Sequence, residues 1–153
     1  MIINRKDIEE LSNDLKRNGK KIIFTNGCFD ILHSGHVTYL NKSKALGDIL
    51  IVGLNSDSSV RRLKGASRPI NNEFDRAYIL DNLKAVDYVS IFDEDTPLEL
   101  IKKVLPDIIT KGGDYKKEDV VGYSVVKEYG GDVVIIDLVE GKSTTAIIKR
   151  IEQ

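Results

Sequence analysis

The only two histidines of this chain, His33 and His36, stand three positions apart with Gly35 between them. An apolar run at residues 22–24 precedes the pair, and a segment with a helical pattern follows it. A junction between a strand and a helix presents backbone N–H groups and the positive end of the helix dipole, which together favour an anion. Two imidazoles at the same place add donors for charge that builds up on a phosphate. We therefore predict a phosphate site at this junction, where Gly35 allows close approach of the backbone.

The composition narrows the class of protein. The chain has 153 residues, of which 41% are hydrophobic and 31% charged, and this suits one globular domain. A formal net charge of -1 provides no basic field, so we expect no nucleic-acid partner. The N-terminus lacks the apolar run of a signal peptide and no stretch is long enough to span a bilayer, so we expect no membrane partner. The single cysteine, Cys28, fits a reducing compartment, and we predict a cytoplasmic protein.

Strand-like and helix-like patterns alternate along the chain, which is typical of an α/β fold with a parallel sheet. Asn4 is predicted to cap a first helix that stops at Gly19, because these residue types favour the two ends of a helix. We assign residues 1–19 to this helix and residues 20–153 to the catalytic core of the same single domain.

The remaining elements are predicted from hydrophobic spacing. Residues 25–27 are read as a turn, and residues 55–72 as a long polar connection of the kind that often carries function. One apolar helical face is formed by Phe74, Ala77, Leu80 and Leu83. Further helices are predicted after His36, after Pro97, within residues 120–129 and from Ser143 onward. The predicted strands are residues 22–24, 49–54, 88–92, 107–110 and 133–136.

Polar clusters follow four of these strands, and in open α/β sheets ligands bind beyond the carboxyl ends of the strands. Each cluster alone has an ordinary explanation, such as a helix cap at Ser143, a turn at residues 112–113 or a helix start at residues 55–57. Their shared edge favours one phosphate-and-ribose site. Neither the G-x-G-x-x-G dinucleotide fingerprint nor the P-loop pattern is present. The four clusters are residues 25–36, 55–57, 111–114 and 141–145.

Two of these clusters resemble the signatures of a known family. Residues 25–36, TNGCFDILHSGH, resemble the opening of the nucleotidyltransferases with the HIGH-type histidine motif, and residues 142–147, KSTTAI, resemble their second signature, usually Ile-Ser-Thr-Thr. The resemblance spans residues 20–151 and is closest to the adenylyltransferase domain of the bifunctional heptose enzyme of bacterial lipopolysaccharide precursor synthesis. It implies a Rossmann-like parallel sheet flanked by helices. The other matching stretches are residues 54–57, 62–65, 67–69, 94–97, 105–107 and 111–115.

The resemblance implies a reaction in which AMP from ATP joins D-glycero-β-D-manno-heptose 1-phosphate, giving ADP-heptose and pyrophosphate. The partners would then be ATP and a sugar 1-phosphate. The attacking phosphate is already an anion at neutral pH, so no general base is required, and catalysis reduces to positioning and charge stabilisation. Mg²⁺ would arrive with ATP and keep several waters, and we nominate no metal-ligating side chain. Relatives commonly pair, so a homodimer is expected.

The resemblance and the strand-end argument nominate three groups of residues. The catalytic group is His33, His36 and Lys64. The nucleotide-binding group is Thr25, Asn26, Gly27, Phe29, Gly35, His36, Lys111, Gly112, Asp114, Ser143, Thr144 and Thr145. The substrate-binding group is Cys28, Asp30, Asn55, Asp57, Lys64, Arg68 and Arg76. Four of these have ordinary alternatives: Lys64 as a solvated lysine, Arg76 as a surface partner of Glu73, Asp30 as a brace of its loop, and Cys28 as a wall of the site.

Other functions remain open at this stage. Glycerol-3-phosphate cytidylyltransferases share both histidines and the Ser-Thr-Thr, but they typically have Met-Gly-Asp-Asp-Trp at residues 111–115 and Arg-Thr-Glu-Gly at residues 138–141. Lys142 stands where the usual Ile is found. A non-enzyme alternative is a degenerate nucleotide-binding module without turnover. A flavodoxin-like electron carrier fits the alternation of elements but leaves both histidines without a role.

Overall fold

Strands and helices alternate through residues 1–151, the part of the chain that the computed structural model describes. Residues 152 and 153, the end of the predicted core, lie outside the described residues. The strands are β1 (Ile22–Gly27), β2 (Ile49–Asn55), β3 (Tyr88–Phe92), β4 (Ile108–Gly112) and β5 (Asp132–Ile136). The helices are α1 (Ile8–Arg17), α2 (Ser34–Lys44), α3 (Asp57–Lys64), α4 (Glu73–Asp81), α5 (Leu98–Val104), α6 (Tyr123–Glu128) and α7 (Thr144–Ile151), with a 3₁₀ turn at Lys117–Asp119.

The five strands form one parallel sheet in the order β3-β2-β1-β4-β5. The chain builds outward from β1 to β3, then returns to the other side of β1 for β4 and β5. Strand order reverses between β1 and β4, and such a switch point opens a crevice at the carboxyl ends of the strands. The predicted α/β class with a parallel sheet flanked by helices is confirmed.

Apolar side chains cover both faces of the sheet, as expected for a parallel sheet between helices. Ile22 and Phe24 pack on one face with residues of α1, α5 and α6, whereas Ile23 packs on the other with residues of α2 and α4. The helix α7 differs from these, because none of its residues is fully buried. No helix within residues 1–151 is both long enough and apolar enough to cross a membrane.

Two predicted irregular segments are regular in the structure. Residues 25–27, read as a turn, are the last three residues of β1 and pair with residues 52–54 of β2. The polar stretch at residues 55–72 contains α3, which begins because the Ser56 side chain accepts a hydrogen bond from the backbone N–H of Ser59. Val60 then anchors this mostly polar helix in the core, whereas Leu63 stays exposed.

Two predicted roles at helix ends and faces are also corrected. Phe74 is 73% exposed, because α4 begins at Glu73 and turns Ala77 and Leu80 inward instead. Asn4 does not cap α1. Its side-chain oxygen accepts from the backbone N–H of Lys6, in the turn before the helix.

The buried guanidinium of Arg76 joins four parts of this edge of the sheet. Its Nη1 donates to the backbone oxygens of Cys28 at 2.6 Å and Asn55 at 2.8 Å. Its Nε donates to the backbone oxygen of Asn71 at 3.0 Å, and its Nη2 to Asp57 Oδ1 at 2.8 Å. Arg76 is 1% exposed. This buried position suits neither of the alternatives considered from the sequence, which are direct contact with the substrate and a surface pair with Glu73.

Replacing Arg76 with methionine should destabilise the protein by about 3 kcal/mol, because removal of one partner leaves buried carbonyl oxygens and a carboxylate without their donor. Urea denaturation followed by circular dichroism measures the change. Arg62→Met is the matched control, since Arg62 forms an exposed pair with Asp95 and such pairs contribute little. Equal urea midpoints for the two variants would show that the buried bonds do not hold this edge together.

Candidate active site

A cavity of about 330 Å³ opens at the carboxyl ends of β1 and β4, where the strand order reverses. Most of the residues predicted from the sequence meet there. The predicted residues that line it are Asn26, Gly27, Cys28, Phe29, Asp30, His33, Gly35, His36, Lys64, Arg68, Lys111, Gly112, Ser143, Thr144 and Thr145. Five others do not line it: Thr25, Asn55, Asp57, Arg76 and Asp114.

The side chains of His33 and His36 lie against each other at the start of α2. Their rings stack with centroids 3.9 Å apart and an interplanar angle of 26°, and the ring of Phe29 meets His36 edge-on at 5.4 Å. The backbone N–H of His33 donates to Nδ1 of His36 at 3.4 Å. Since Nδ1 of His36 accepts a hydrogen bond, the proton of its neutral ring lies on Nε2.

Both imidazoles are neutral near pH 7. Burial, followed by the charges of His33 and Lys64, lowers the pKa of His36 to about 4. Burial and then the charge of Lys142 lower the pKa of His33 below its usual value. A neutral imidazole carries one N–H, so each ring can give one hydrogen bond to a phosphate oxygen.

Gly35 allows the start of α2 to lie close to the residues directly before α7. A Cβ on Gly35 would lie 2.9 Å from Nδ1 of His33 and 3.1 Å from Cβ of Lys142. The side chain of Thr144 donates to the backbone oxygen of Ile31 at 3.0 Å, which ties the start of α7 to the segment before α2. The N-termini of α2 and α7 therefore point into one cavity, an arrangement that suits an anion.

Asp30 lines the wall of the cavity, and its carboxylate already has hydrogen-bond partners within the protein. Its carboxylate accepts hydrogen bonds from Nε of Arg68 and from the backbone N–H groups of Ile70 and Asn71. Burial alone would raise the pKa of Asp30, but these hydrogen bonds outweigh it and hold the pKa below its usual value. The side chain is thus an ionised brace for residues 68–71.

Three lysines that line the cavity, Lys64, Lys111 and Lys142, have no carboxylate within 4.0 Å among the described residues. Burial lowers the pKa of Lys111, and its ammonium lies 5.4 Å from the ring centroid of Tyr115. Asp30, the carboxylate that lines the cavity, is engaged by Arg68. The cavity therefore carries positive charge that an anion would balance.

Cys28 forms part of the wall. Burial raises the pKa of its thiol despite the nearby charges of Lys64, Arg76 and Arg68. A nucleophilic cysteine needs a lowered pKa, so this side chain is a neutral surface of the cavity.

Thr25 lies beneath the cavity in a buried group of hydroxyls. Its Oγ1 is 2.6 Å from the hydroxyl of Tyr39, which in turn donates to Oγ1 of Thr110 at 3.2 Å. Ser43 Oγ is 2.9 Å from the same Thr110 oxygen. Because Tyr39 and Ser43 belong to α2, these bonds hold that helix against β1 and β4.

Four lining residues were not nominated from the sequence: Tyr39, Leu138, Val139 and Lys142. Tyr39 follows His36 by one helical turn, so the helical spacing was the available signal. The other three stand in the loop before the Ser-Thr-Thr signature, next to residues that were nominated. Leu138 packs close over Gly112, where a Cβ would come within 2.7 Å of its methyl group.

The chain is similar in sequence to a known protein family and to curated proteins. The family model described as cytidylyltransferase-like matches residues 24–150, a range that includes every residue lining the cavity. Two curated relatives, both named Bifunctional protein HldE, come from a Nitratiruptor species and from Campylobacter concisus. They are 66% identical over 144 residues and 62% identical over 148 residues, covering 94% and 96% of this chain. The chain spans 30% of the length of each relative.

Solved structures share the fold. The lipopolysaccharide core biosynthesis protein from Thermoplasma volcanium GSS1 is 35% identical with a TM-score of 0.65, and the match covers 81% of this chain and 100% of that chain. Pantoate-beta-alanine ligase from Francisella tularensis has a TM-score of 0.66 at 15% identity, covering 99% of this chain and 77% of that chain. The second likeness concerns the fold alone.

The lowered pKa of His36 predicts a loss of stability in mild acid. Its pKa is about 4 in the folded protein and 6.5 for the ordinary side chain, so the unfolded chain binds more protons between these values. The free energy of unfolding therefore falls as the pH drops through this window. Urea midpoints at about pH 7.5 and pH 5 should differ less for His36→Gln than for the wild type. An equal difference in both proteins would contradict the neutral, buried imidazole.

Proposed function

The chain belongs to the cytidylyltransferase-like family, and we propose that it is an adenylyltransferase that joins AMP from ATP to D-glycero-β-D-manno-heptose 1-phosphate. The products would be pyrophosphate and ADP-heptose, the latter a precursor of lipopolysaccharide or another surface glycan. One observation carries the nucleotidyltransferase assignment: two neutral histidines and three lysines without carboxylate partners among the described residues face one cavity at the N-termini of α2 and α7. This arrangement suits a polyphosphate.

The identity of the sugar phosphate is supported by the relatives. Two HldE proteins are 66% and 62% identical to this chain, and the solved structure at 35% identity is a lipopolysaccharide core biosynthesis protein. The relatives are longer than this chain, so their full activity is not carried over. The proposed activity belongs to residues 20–153, acting in the cytoplasm where ATP is available, and we further propose that the chain forms a homodimer.

The mechanism needs positioning and charge stabilisation rather than a base, because the attacking sugar phosphate is already an anion. Its oxygen bonds to the α-phosphorus of ATP as the bond to the bridging oxygen breaks, and that oxygen leaves with pyrophosphate. His36 would donate through Nε2–H, and His33 through its one N–H, to phosphate oxygens that gain charge. Lys64, whose charge also acts on His36, would hold the acceptor phosphate.

The nucleoside would lie beyond the end of β4. Gly112 and Gly113 carry no side chain there, and their backbone lies against the side chain of Leu138. We propose that this wall receives the base and that Asp114, at the exposed end of the turn, contacts the ribose. Thr144 and Thr145, in the first turn of α7, would receive phosphate oxygens through their backbone N–H groups.

Mg²⁺ is proposed as the ion that ATP carries rather than one that the protein holds. Within residues 1–151 no group of three or more His, Cys, Asp or Glu side chains is arranged to bind a metal. The Asp30 carboxylate is taken by Arg68, Ile70 and Asn71. The side chains present therefore do not form a donor set, which suits an ion bound by phosphate oxygens and water. When bound, the ion would neutralise phosphate charge.

His33→Ala and His36→Ala should each lower kcat by about a hundredfold to a thousandfold, since each removes a preorganised donor. Pyrophosphate release in a coupled assay measures the rate, and urea denaturation confirms that each variant is folded. Lys42→Ala, an exposed change on the same helix, is the control and should keep full activity. Near-normal rates for both histidine variants would refute the mechanism.

The substrate is tested by pyrophosphate release with Mg²⁺, in which ATP and CTP are crossed with heptose 1-phosphate and glycerol 3-phosphate. We expect release with ATP and the heptose phosphate alone. Release with CTP and glycerol 3-phosphate alone would keep the reaction type and replace the substrates. ATP binding without release in any combination would favour a nucleotide-binding module.

A further inference from the structure

We infer that Lys142 is a further phosphate-binding residue of this site, whose ammonium holds the pyrophosphate that leaves ATP. The inference rests on the proposed function, because it assigns a side chain to the leaving group of that reaction. The sequence nominated no role for this residue, which stands where the related signature usually has an isoleucine.

The backbone places Lys142 between the two helix N-termini. It lies directly before Ser143, whose Oγ accepts from the backbone N–H of Ala146 and caps α7. The Thr144 side chain fastens this turn to the backbone oxygen of Ile31. Cβ of Lys142 is 3.1 Å from the position that a Cβ on Gly35 would occupy. The side chain of Lys142 therefore starts beside the first turn of α2 and lines the cavity.

The charge of Lys142 lies at a place that is already electropositive. Cations stabilise the C-terminal ends of helices, whereas the N-terminal ends of α2 and α7 carry partial positive charge. Throughout the described part of the chain, no carboxylate comes within 4.0 Å of the Lys142 ammonium. An anion bound between the helices would be attracted by all three positive groups, the two helix N-termini and the Lys142 ammonium.

Two lysines of the cavity act on different histidines of the pair. The charge of Lys142 acts on His33, and the charge of Lys64 acts on His36. A triphosphate that lies along the two rings would therefore meet a different cation at each end. Lys142 directly precedes α7, whose first backbone N–H groups are the proposed partners of the ATP phosphates. We therefore assign Lys142 to the departing phosphates and Lys64 to the acceptor.

This position matters for the chemical step. As the bond between the α-phosphorus and its bridging oxygen breaks, that oxygen takes the electron pair and the departing pyrophosphate gains negative charge. A cation that is already in place stabilises this charge without reorganisation. Lys142 would therefore contribute to the binding of pyrophosphate and to the rate at which it forms.

Calorimetric titration with inorganic pyrophosphate in the presence of Mg²⁺ tests the inference directly. Lys142→Gln should weaken binding roughly 10- to 100-fold, the effect of losing one hydrogen bond to a charged group. Lys142→Arg should stay within about threefold of the wild type, since it keeps the charge. Lys149→Gln, at an exposed position near the other end of α7, is the matched control and should bind normally. Binding by Lys142→Gln within about twofold of the wild type would overturn the inference.

Two further readouts separate this role from a structural one. The pKa of His33, followed by NMR in the protein without nucleotide, should rise in Lys142→Gln and stay unchanged in Lys149→Gln. In the steady state Lys142→Gln should lower kcat/KM for ATP and leave the KM for the sugar phosphate unchanged. An unchanged His33 pKa, or a changed KM for the sugar phosphate alone, would place the Lys142 side chain elsewhere.

The outcome does not depend on the identity of the acceptor. If no tested acceptor supports turnover but pyrophosphate still binds through Lys142, the proposed substrate fails and the phosphate subsite stands. If the wild type turns over normally and Lys142→Gln binds pyrophosphate normally, the proposed function stands and the role of Lys142 fails.

Discussion

The site depends on one buried cation. The guanidinium of Arg76 donates to three backbone oxygens and one carboxylate, from the loop after β1, the end of β2, the connection before α4 and the start of α3. A guanidinium can form this many bonds in fixed directions because its donors lie in one plane. The loop between β1 and α2, which ends at His33, is thereby held to the sheet by a group that does not line the cavity. Asp30 adds a second brace from the cavity wall.

This arrangement shows why a polar residue at the edge of a site is difficult to interpret from sequence. The sequence nominates Arg76, Asn55 and Asp57 for substrate contact. In the structure none of them lines the cavity, and the Arg76 guanidinium donates to the Asn55 backbone oxygen and to the Asp57 carboxylate. The neighbouring sequence looks the same whether an arginine contacts a ligand or is buried beneath the loop that does. Burial decides between them, and burial depends on which segments meet in three dimensions.

The elements that were predicted well have strong local signals. The strand β3 was predicted with its observed bounds, and the other four strands were located to within three residues, because continuous β-branched and apolar runs indicate buried parallel strands. Where α3 lies the sequence predicts a polar connection, with a helix start at residues 55–57 only as an alternative, because the helix is mostly polar and only Val60 and Ser59 of it are buried. The sequence does not predict that Lys142 and Leu138 line the cavity, because Lys142 reaches it beside α2 and Leu138 beside β4, and no local pattern encodes these approaches.

The elements around the cavity differ in how firmly packing and hydrogen bonds hold them. Strands β1 and β4 and helix α2 are joined through the sheet and through the buried hydroxyls of Tyr39 and Ser43, whereas α7 has no fully buried residue. Part of the cavity wall thus belongs to a helix, α7, whose own packing contributes little to its position. A ligand that bridges α2 and α7 would supply some of that missing cohesion, so its measured affinity would include the free energy of docking the last helix.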